Sequence, residues 1–400
     1  MLRILNIMAN HLDFHEFVLL YGKGATVYQS MANKFNGHRL YESKGSTDVP
    51  YSIQQKPLVL TSVPNYLDAN YVFDSDTIIK KVKTFPGSLI DLSAYADFDS
   101  YLTQTFSNKR RSYFNKCVNM LHTCFDISHR VYYGTMEREE YDSIFSAFQK
   151  MQSDRFEELG IKDDAMEMWP IYQKNTWQLV LDKKACISVI YNGSKPIAIS
   201  LNYLLGKVVY GFTKTFDMAY AKFGLGNVEL LKMIAWSIGE GFDVLDFMKG
   251  EYSYKNRFTD NPYSFLTQVV YSKKNLKQRV WGLALFMGLR VFYFMYHVYR
   301  FLGLHRFRGQ KSHKKEKTSP VKSQELSKNA SSILPTEIKI HLDAIKNKGF
   351  QKAVCDFCFM NKEPLKSIEL FTTHEGEEYL KLISPSRAVL LTNSKSKIRR

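Results

Sequence analysis

The chain has 400 residues, 55 Lys and Arg against 39 Asp and Glu, and a formal charge of +16. Residues 1–270 carry 29 basic and 29 acidic side chains, so the whole excess falls in 271–400, which excludes a uniformly basic nucleic-acid coat protein. A content of 45% hydrophobic and 14% aromatic residues excludes disorder over most of the chain, and five cysteines at this length argue against a secreted disulfide scaffold.

The first residues contain no apolar run long enough for a signal peptide, because His11, Asp13 and His15 interrupt it, so an intracellular protein is expected. Strands are predicted over 57–63 and 88–93, between Pro50, Pro57, Pro64 and Pro86. Residues 95–122 and 137–160 read as helices, the first carrying the basic cluster Lys109, Arg110 and Arg111. Two strands, 185–191 and 196–205, flank an Asn192-Gly193 turn, and Gly206-Lys207 turns into a third, 208–216. A loop then leads to an amphipathic helix over 227–239, with Asn227 suited to its N-cap, and a strand over 244–248. Strand, crossover helix and strand imply a right-handed parallel unit appended to hairpins, hence a mixed sheet of the α/β or α+β class.

Two stretches within 207–257 carry candidate chemistry. Gly224 and Gly226 stand immediately before the helix, where outward amides and the helix dipole favour an anion, and Lys222 adds charge. A plain turn is the alternative. No Gly-Lys-Ser/Thr follows, and the preceding strands are hairpin-paired, so neither a Walker loop nor a dinucleotide fingerprint fits. The second stretch places Asp246 in an apolar strand, followed by Gly250, Glu251, Tyr254, Lys255 and Arg257. A carboxylate there needs a partner, either in a structural ion pair with Lys255 or Arg257, or as part of a polar site at the strand end.

The segments YAKFGLGNVELL and GFDVLDFMKGEYSYKNRF together resemble the GNAT acyltransferase superfamily, and more narrowly its CelD-like or BioF-like branch, which is similar to the Fem aminoacyltransferases. Tyr220, Ala221, Lys222, Phe223 and Gly226 match the branch's first motif, and Asp246, Phe247, Gly250, Tyr254 and Lys255 its second. The hairpin NGSKPIAISLNYLL and the basic helix SNKRRSYFNK also match, so the resemblance covers roughly 90–265. Gly224-Leu225 replaces the usual Ser-Pro, and Ala221 occupies a phosphate-contact position.

The resemblance implies tandem GNAT-like mixed sheets with flanking helices: a degenerate half over 1–125 and the acyltransferase half over 126–275. It implies acyl-CoA as co-substrate, with Lys222, Gly224, Gly226, Asn227 and Val228 holding its pyrophosphate. It also implies direct transfer to an amine acceptor. Asp246 or Glu251 would then be the base, Tyr254 the acid for the leaving thiolate and Lys255 the oxyanion stabiliser, with Arg155 and Arg257 contacting substrate. An acceptor on an envelope or polysaccharide precursor is expected. The alternatives are a Fem-like enzyme using aminoacyl-tRNA, with Lys109, Arg110 and Arg111 on the RNA, and a non-enzymatic scaffold tethered to the membrane.

Residues 279–304 form the most apolar stretch, but Arg290, His297 and Arg300 interrupt it, so an amphipathic helix over 276–308 lying in an anionic membrane surface is expected, at the cytoplasmic inner face. Nucleic acid ranks lower as a partner, apart from tRNA in the alternative above. Residues 309–335 read as a linker and 336–400 as a small appended unit or tail, with a helix over EIKIHLDAIKNKG and a strand over AVCDFCF. Cys355-x-x-Cys358 with His341 and His374 is weak evidence for zinc without a second pair, and no metal is expected.

Overall fold

The computed structural model describes residues 9–21, 27–43, 56–73, 75–160, 164–250, 255–259, 261–303, 321–326, 334, 337–373 and 376–393. The strands in chain order are β1 Asn10–Asp13, β2 Tyr28–Asn33, β3 Arg39–Glu42, β4 Leu58–Pro64, β5 Leu67–Tyr71, β6 Thr77–Asp91, β7 Ile127–Tyr132, β8 Ala185–Asn192, β9 Lys195–Leu205, β10 Val208–Phe216, β11 Val244–Lys249 and β12 Asn261–Ser272. Nine of them form one mixed sheet in the order β1-β4-β12-β6-β11-β10-β9-β8-β7. The pairs β1–β4 and β10–β11 run parallel. The two sheets expected in tandem are therefore joined into one: β6 lies between β11 and β12, and β12 pairs with both β6 and β4. A separate three-stranded sheet, β3-β2-β5, completes the N-terminal part.

The helices are α1 Phe98–Thr105, α2 Asn108–Cys124, α3 Arg138–Leu159, α4 Trp169–Leu181, α5 Leu225–Gly239, the single turn α6 Lys255–Phe258, and α7 Leu276–Phe301. The helix read over 95–122 is two helices, each with its own cap: Asp97 accepts from Ser100 N, and Ser107 accepts from Arg110 N. One face of the sheet packs α1, α2 and α5 through Leu204, Val209, Leu230, Ile234, Leu245 and Phe247. The opposite face buries Tyr210, Val208, Val244 and Phe265 with α3, α4 and the first residues of the chain.

Helix α7 docks on β12 and β6 by a narrow stripe of Gln278, Gly282, Leu285, Leu289 and Tyr293. Its opposite side is apolar and open: Val291 is 58% exposed, Phe294 65% and Phe301 90%. By length and composition this helix could cross a membrane, but one face is committed to the sheet.

The C-terminal part is a five-stranded sheet, ordered β13-β17-β16-β15-β14, from β13 Val321–Leu326, β14 Glu337–Ile340, β15 Glu369–Thr373, β16 Gly376–Ile383 and β17 Ala388–Asn393. Helix α8, Lys348–Asn361, packs with it. Three local readings change here. Val321–Leu326, read as linker, pairs with β17. EIKI is a strand rather than a helix, and AVCDFCF lies in α8 rather than in a strand. The run AVCDFCF is apolar apart from Asp356, as a short buried strand is, but Val354, Cys355 and Cys358 lie on one buried helical side.

Candidate active site

Pairing between β10 and β11 lasts three residues, Val208–Val244, Val209–Leu245 and Tyr210–Asp246. Beyond that point β10 bulges against β9 between Gly211 and Thr213, and β11 slips against β6 between Asp246 and Lys249. Met248 takes the left-handed region at φ 59°, a strained setting for a non-glycine residue. Two parallel strands thus part directly above the start of the helix that connects them.

That helix, α5, begins one turn earlier than the sequence suggests, with Gly224 as N-cap at φ 65° instead of Asn227. A side chain at Gly224 would also meet Cys117 Sγ at 2.9 Å and Tyr113 Oη at 3.2 Å, so glycine is required twice over. The amides of Asn227 and Val228 close onto Gly224 O at 2.8 and 3.1 Å, which leaves those of Leu225 and Gly226 at the helix start. Phe216, the last residue of β10, covers Gly226, where a Cβ would lie 2.8 Å from its ring. Arg110 sits 5.9 Å from the Tyr113 ring, and the charges of Arg110 and Arg257 both act on the Tyr113 hydroxyl. The structure therefore gathers Gly224, Gly226, Asn227, Val228 and Arg257 at one anion-favouring corner, and adds Arg110 and Tyr113. Lys222 points elsewhere and pairs with Asp356 of α8 at 3.3 Å.

Asp246 is fully buried. It accepts from Tyr66 Oη at 2.7 Å, Tyr263 Oη at 2.7 Å and Met248 N at 2.7 Å. Burial pushes its carboxyl above the usual range, against the pull of the two tyrosines, the amide and the His15 charge. Its hydrogen-bond partners are thus tyrosines that the sequence reading did not name. Lys255, 3% exposed, directs Nζ at Phe247 O (2.7 Å), Lys249 O (2.7 Å) and Met248 O (3.4 Å), gathering the end of β11 where it leaves β10. Burial lowers its ammonium to about 8, opposed by the Asp246 charge and assisted by Lys214. Glu251 and Tyr254 lie outside the described residues.

Lys214 of β10 lies 3.8 Å from Glu229, a 2%-exposed carboxylate in the first turns of α5 whose Oε1 has no partner. Desolvation lowers the Lys214 ammonium. Arg155, from α3, donates to Lys214 O at 3.4 Å and stacks 5.0 Å from the Phe216 ring. On the other side of β11, Lys249 bonds Ser62 Oγ, which donates to Asp13, as does Thr61 Oγ1 at 2.9 Å. Burial opposes ionisation of Asp13, yet His15, Lys249 and Ser62 hold its carboxyl below the normal range. Ser62 is itself left-handed, at φ 61°. The partners Thr61 and Ser62 of Asp13, and Ser62 of Lys249, could not be found from local spacing, because each pair joins strands far apart in the chain.

Cys355 and Cys358 are free thiols one helical turn apart in the shared core of α2, α5 and α8, with Cys358 pushed up to about 12 by burial. Among the described residues, no three His, Cys, Asp or Glu side chains group as metal ligands. His374 lies outside the described residues.

Gly87 supplies a test of the Asp246 network, since a Cβ there would sit 2.4 Å from Tyr263 Cζ and 2.8 Å from its hydroxyl. Gly87→Ala is expected to push Tyr263 off Asp246 and to cost about 1–3 kcal/mol in urea unfolding. Unchanged stability would mean that Tyr263 is not fixed by this contact.

Parallel strands that part near an anion-favouring helix start, with Lys214 and Lys255 beside the parting, define the candidate site. Residues 108–256 match the family described as an acetyltransferase (GNAT) domain, so the fold is GNAT-like and by class the protein is an acyltransferase. Similar solved structures include FemX, 9% identical over 57% of this chain and 74% of that one, with a TM-score of 0.38. Another is the C-terminal domain of a putative lysylphosphatidylglycerol synthetase from Agrobacterium fabrum, 10% identical over 58% and 71%, with a TM-score of 0.36. A tandem GNAT protein of the clavulanic acid pathway is 8% identical over 55% and 65%, with a TM-score of 0.30. At these scores the likenesses carry no functional weight. No curated protein matches the chain.

Proposed function

We propose that this protein is an N-acyltransferase moving an acyl group from acyl-CoA to an amine on a cell-envelope or polysaccharide precursor, at the inner face of the membrane. The observation that carries this reading is the parting of β10 and β11 after Tyr210–Asp246, directly beside the start of α5. The donor pyrophosphate would rest on the amides of Leu225 and Gly226, with Arg110 and Arg257 alongside, and the thioester would enter between the strands. The acceptor nitrogen then attacks the carbonyl, a C–N bond forms, the C–S bond breaks, and the thiolate leaves as the amine loses a proton.

Asp246 is saturated by three donors and shut away from solvent, so any part it takes in that proton transfer runs through its tyrosines or a water. Lys255 stabilises the developing oxyanion by its field rather than by a direct bond, since its three N–H groups already meet carbonyls. Glu251 and Tyr254 keep their proposed roles as base and acid. Thermal shift with acetyl-CoA, longer acyl-CoAs and charged tRNA tests the reading. Stabilisation by an acyl-CoA is expected; a response to charged tRNA alone would replace it with the aminoacyl-tRNA reading, and no response to any would leave a scaffold.

The unpartnered side of α7 supports the membrane address. Val280, Leu283, Met287, Val291, Phe294 and Phe301 are all exposed, next to Lys273 and Lys277, each cation being worth about 1 kcal/mol at an anionic surface, while Lys274 pairs with Asp76. Flotation with vesicles containing phosphatidylglycerol should carry the protein up, and Val291→Glu with Phe294→Glu should leave it at the bottom. A second copy as the occupant would show instead as a dimer by light scattering and no flotation.

A further inference from the structure

The fold brings a histidine to the parting of β10 and β11 from the far side of the sheet. Helix α5 lies on one face, while the first residues of the chain pack on the other, against Tyr210 and Phe265. There β1 ends at Asp13, and the chain enters a single π turn, His15–Leu20, closed by Tyr21 N on Glu16 O at 2.9 Å. Such turns are rare and recur at functional sites. His15 opens the turn, 8% exposed, with its ring edge-on to Phe265 at 5.5 Å and to Tyr210 at 6.4 Å. Tyr210 is the β10 residue of the last rung before the two strands part.

The two nitrogens of this ring sit in opposite surroundings. Nδ1 faces Asp13 Oδ1 at 3.6 Å, and the same oxygen accepts from the His15 amide at 3.0 Å. Asp13 is held in place, because Thr61 and Ser62 donate to its other oxygen and Lys249 bonds Ser62 in turn. Nε2, by contrast, is buried with no hydrogen-bond partner. The neighbouring Tyr210 Oη, near enough to Tyr66 to act on it, has none at bonding distance either. A buried polar atom left unpaired is costly, and phenylalanine at either position would fill the space without that cost. The charge of His15 also acts on Asp246, the rung partner of Tyr210.

The proposed transfer has a use for this pair. An alkyl amine such as a lysine side chain titrates at about 10.4, so an acceptor of that kind arrives as an ammonium near neutrality. It loses one proton before it attacks and a second as the C–N bond forms. Ammonium plus thioester gives amide, thiol and one proton, so one of the two ends on the leaving thiolate and the other leaves the site. Glu251 and Tyr254, in their proposed roles, carry the proton that reaches the thiolate. We propose that His15, oriented by Asp13, carries the other. The incoming ammonium gives a proton to Tyr210 Oη while the Tyr210 hydroxyl proton passes to His15 Nε2, and the imidazolium releases it to water. Burial keeps Tyr210 neutral, so it passes a proton without holding a charge. The relay rests on the transferase reading, and it comes from the N-terminal part of the chain, outside residues 108–256.

The first measurement needs no acceptor. Two-bond proton–nitrogen spectra of the full chain, with labelled histidine and His15→Phe for assignment, report which His15 nitrogen is protonated. In the neutral ring the proton is expected on Nδ1, toward Asp13, with Nε2 bare. Asp13→Asn, whose amide can donate to Nδ1, should move it to Nε2. Acetyl-CoA added to the natural chain should shift the His15 signals. The second measurement is transfer from acetyl-CoA to glucosamine, followed as thiol release. His15→Phe keeps the ring contacts and removes the unpartnered nitrogen, so it should melt no lower than the natural chain. Its KM for acetyl-CoA should be unchanged and its kcat lower by at least about 100-fold. A proton on Nε2 of the neutral ring in the natural chain, or a natural kcat in His15→Phe, would overturn the relay alone. Absence of any response to acetyl-CoA, with Nε2 bare, would overturn the donor reading and the relay with it.

Discussion

Lys255→Met is expected to lower acyl transfer by no more than about 10²–10³-fold, the cost of removing a directly bonded oxyanion donor, because Lys255 acts through its field. Methionine fills the space of the lysine stem but leaves the carbonyls of Phe247, Met248 and Lys249 without their common donor. The end of β11 then has no reason to hold its departure from β10. Because burial lowers the ammonium from 10.5 to about 8, pH separates the catalytic role from the structural one. As pH rises through about 8, the charged form is lost and the rate should fall. Stability should move the other way. Between about 8 and 10.5 the unfolded chain binds this proton and the folded chain does not, so Lys255 adds stability with rising pH across that window. A rate profile with no descending limb near pH 8, or one identical in Lys255→Met, would remove the charge from the mechanism.

Asp246→Ala should be the most destabilising single change in the centre of the sheet. It leaves two buried tyrosine hydroxyls and one amide facing a void, about 1–3 kcal/mol for each unpaired donor, measured by urea unfolding. Asp246→Asn keeps the shape and can still accept, so it isolates the charge. If its stability is close to that of the natural protein and its rate collapses, Asp246 belongs to the proton path. If the rate is intact, the carboxylate serves only to fix Tyr66 and Tyr263, and the base is another group.

Much of the framework was legible because its signals are local. The Asn192-Gly193 and Gly206-Lys207 turns, the apolar face of α5 and the strand after it each follow from a few neighbouring residues, and β8 to β11 lie as expected. The joined sheet was not legible. No local pattern tells that β12 returns to pair with β4 and β6, since that pairing joins residues nearly two hundred positions apart. The same reason hid Tyr66, 180 positions from Asp246; Tyr263 is only 17 positions away but meets Asp246 through the returning strand β12.

Composition misled at one place of a different kind. Lys222 reads as a phosphate contact because it precedes the helix, but α8 presents Asp356 to it, and a segment far downstream decides where its charge goes. The C-terminal excess of charge was legible in the sequence. That three of those lysines line a cleft beside the GNAT domain depends on how the C-terminal unit packs, which no periodicity records.

The central claim is that the corner formed by Gly224, Gly226, Arg110 and Arg257 seats the pyrophosphate of an acyl-CoA. Calorimetric titration of coenzyme A into the full chain and into its Arg257→Glu variant tests it most directly, because Arg257 is exposed and reversing its charge need not disturb the core. The expected result is saturable binding that weakens at least tenfold in the variant, about 1.4 kcal/mol, at an unchanged melting temperature. Absence of binding to the natural chain, or equal binding to both, would contradict it.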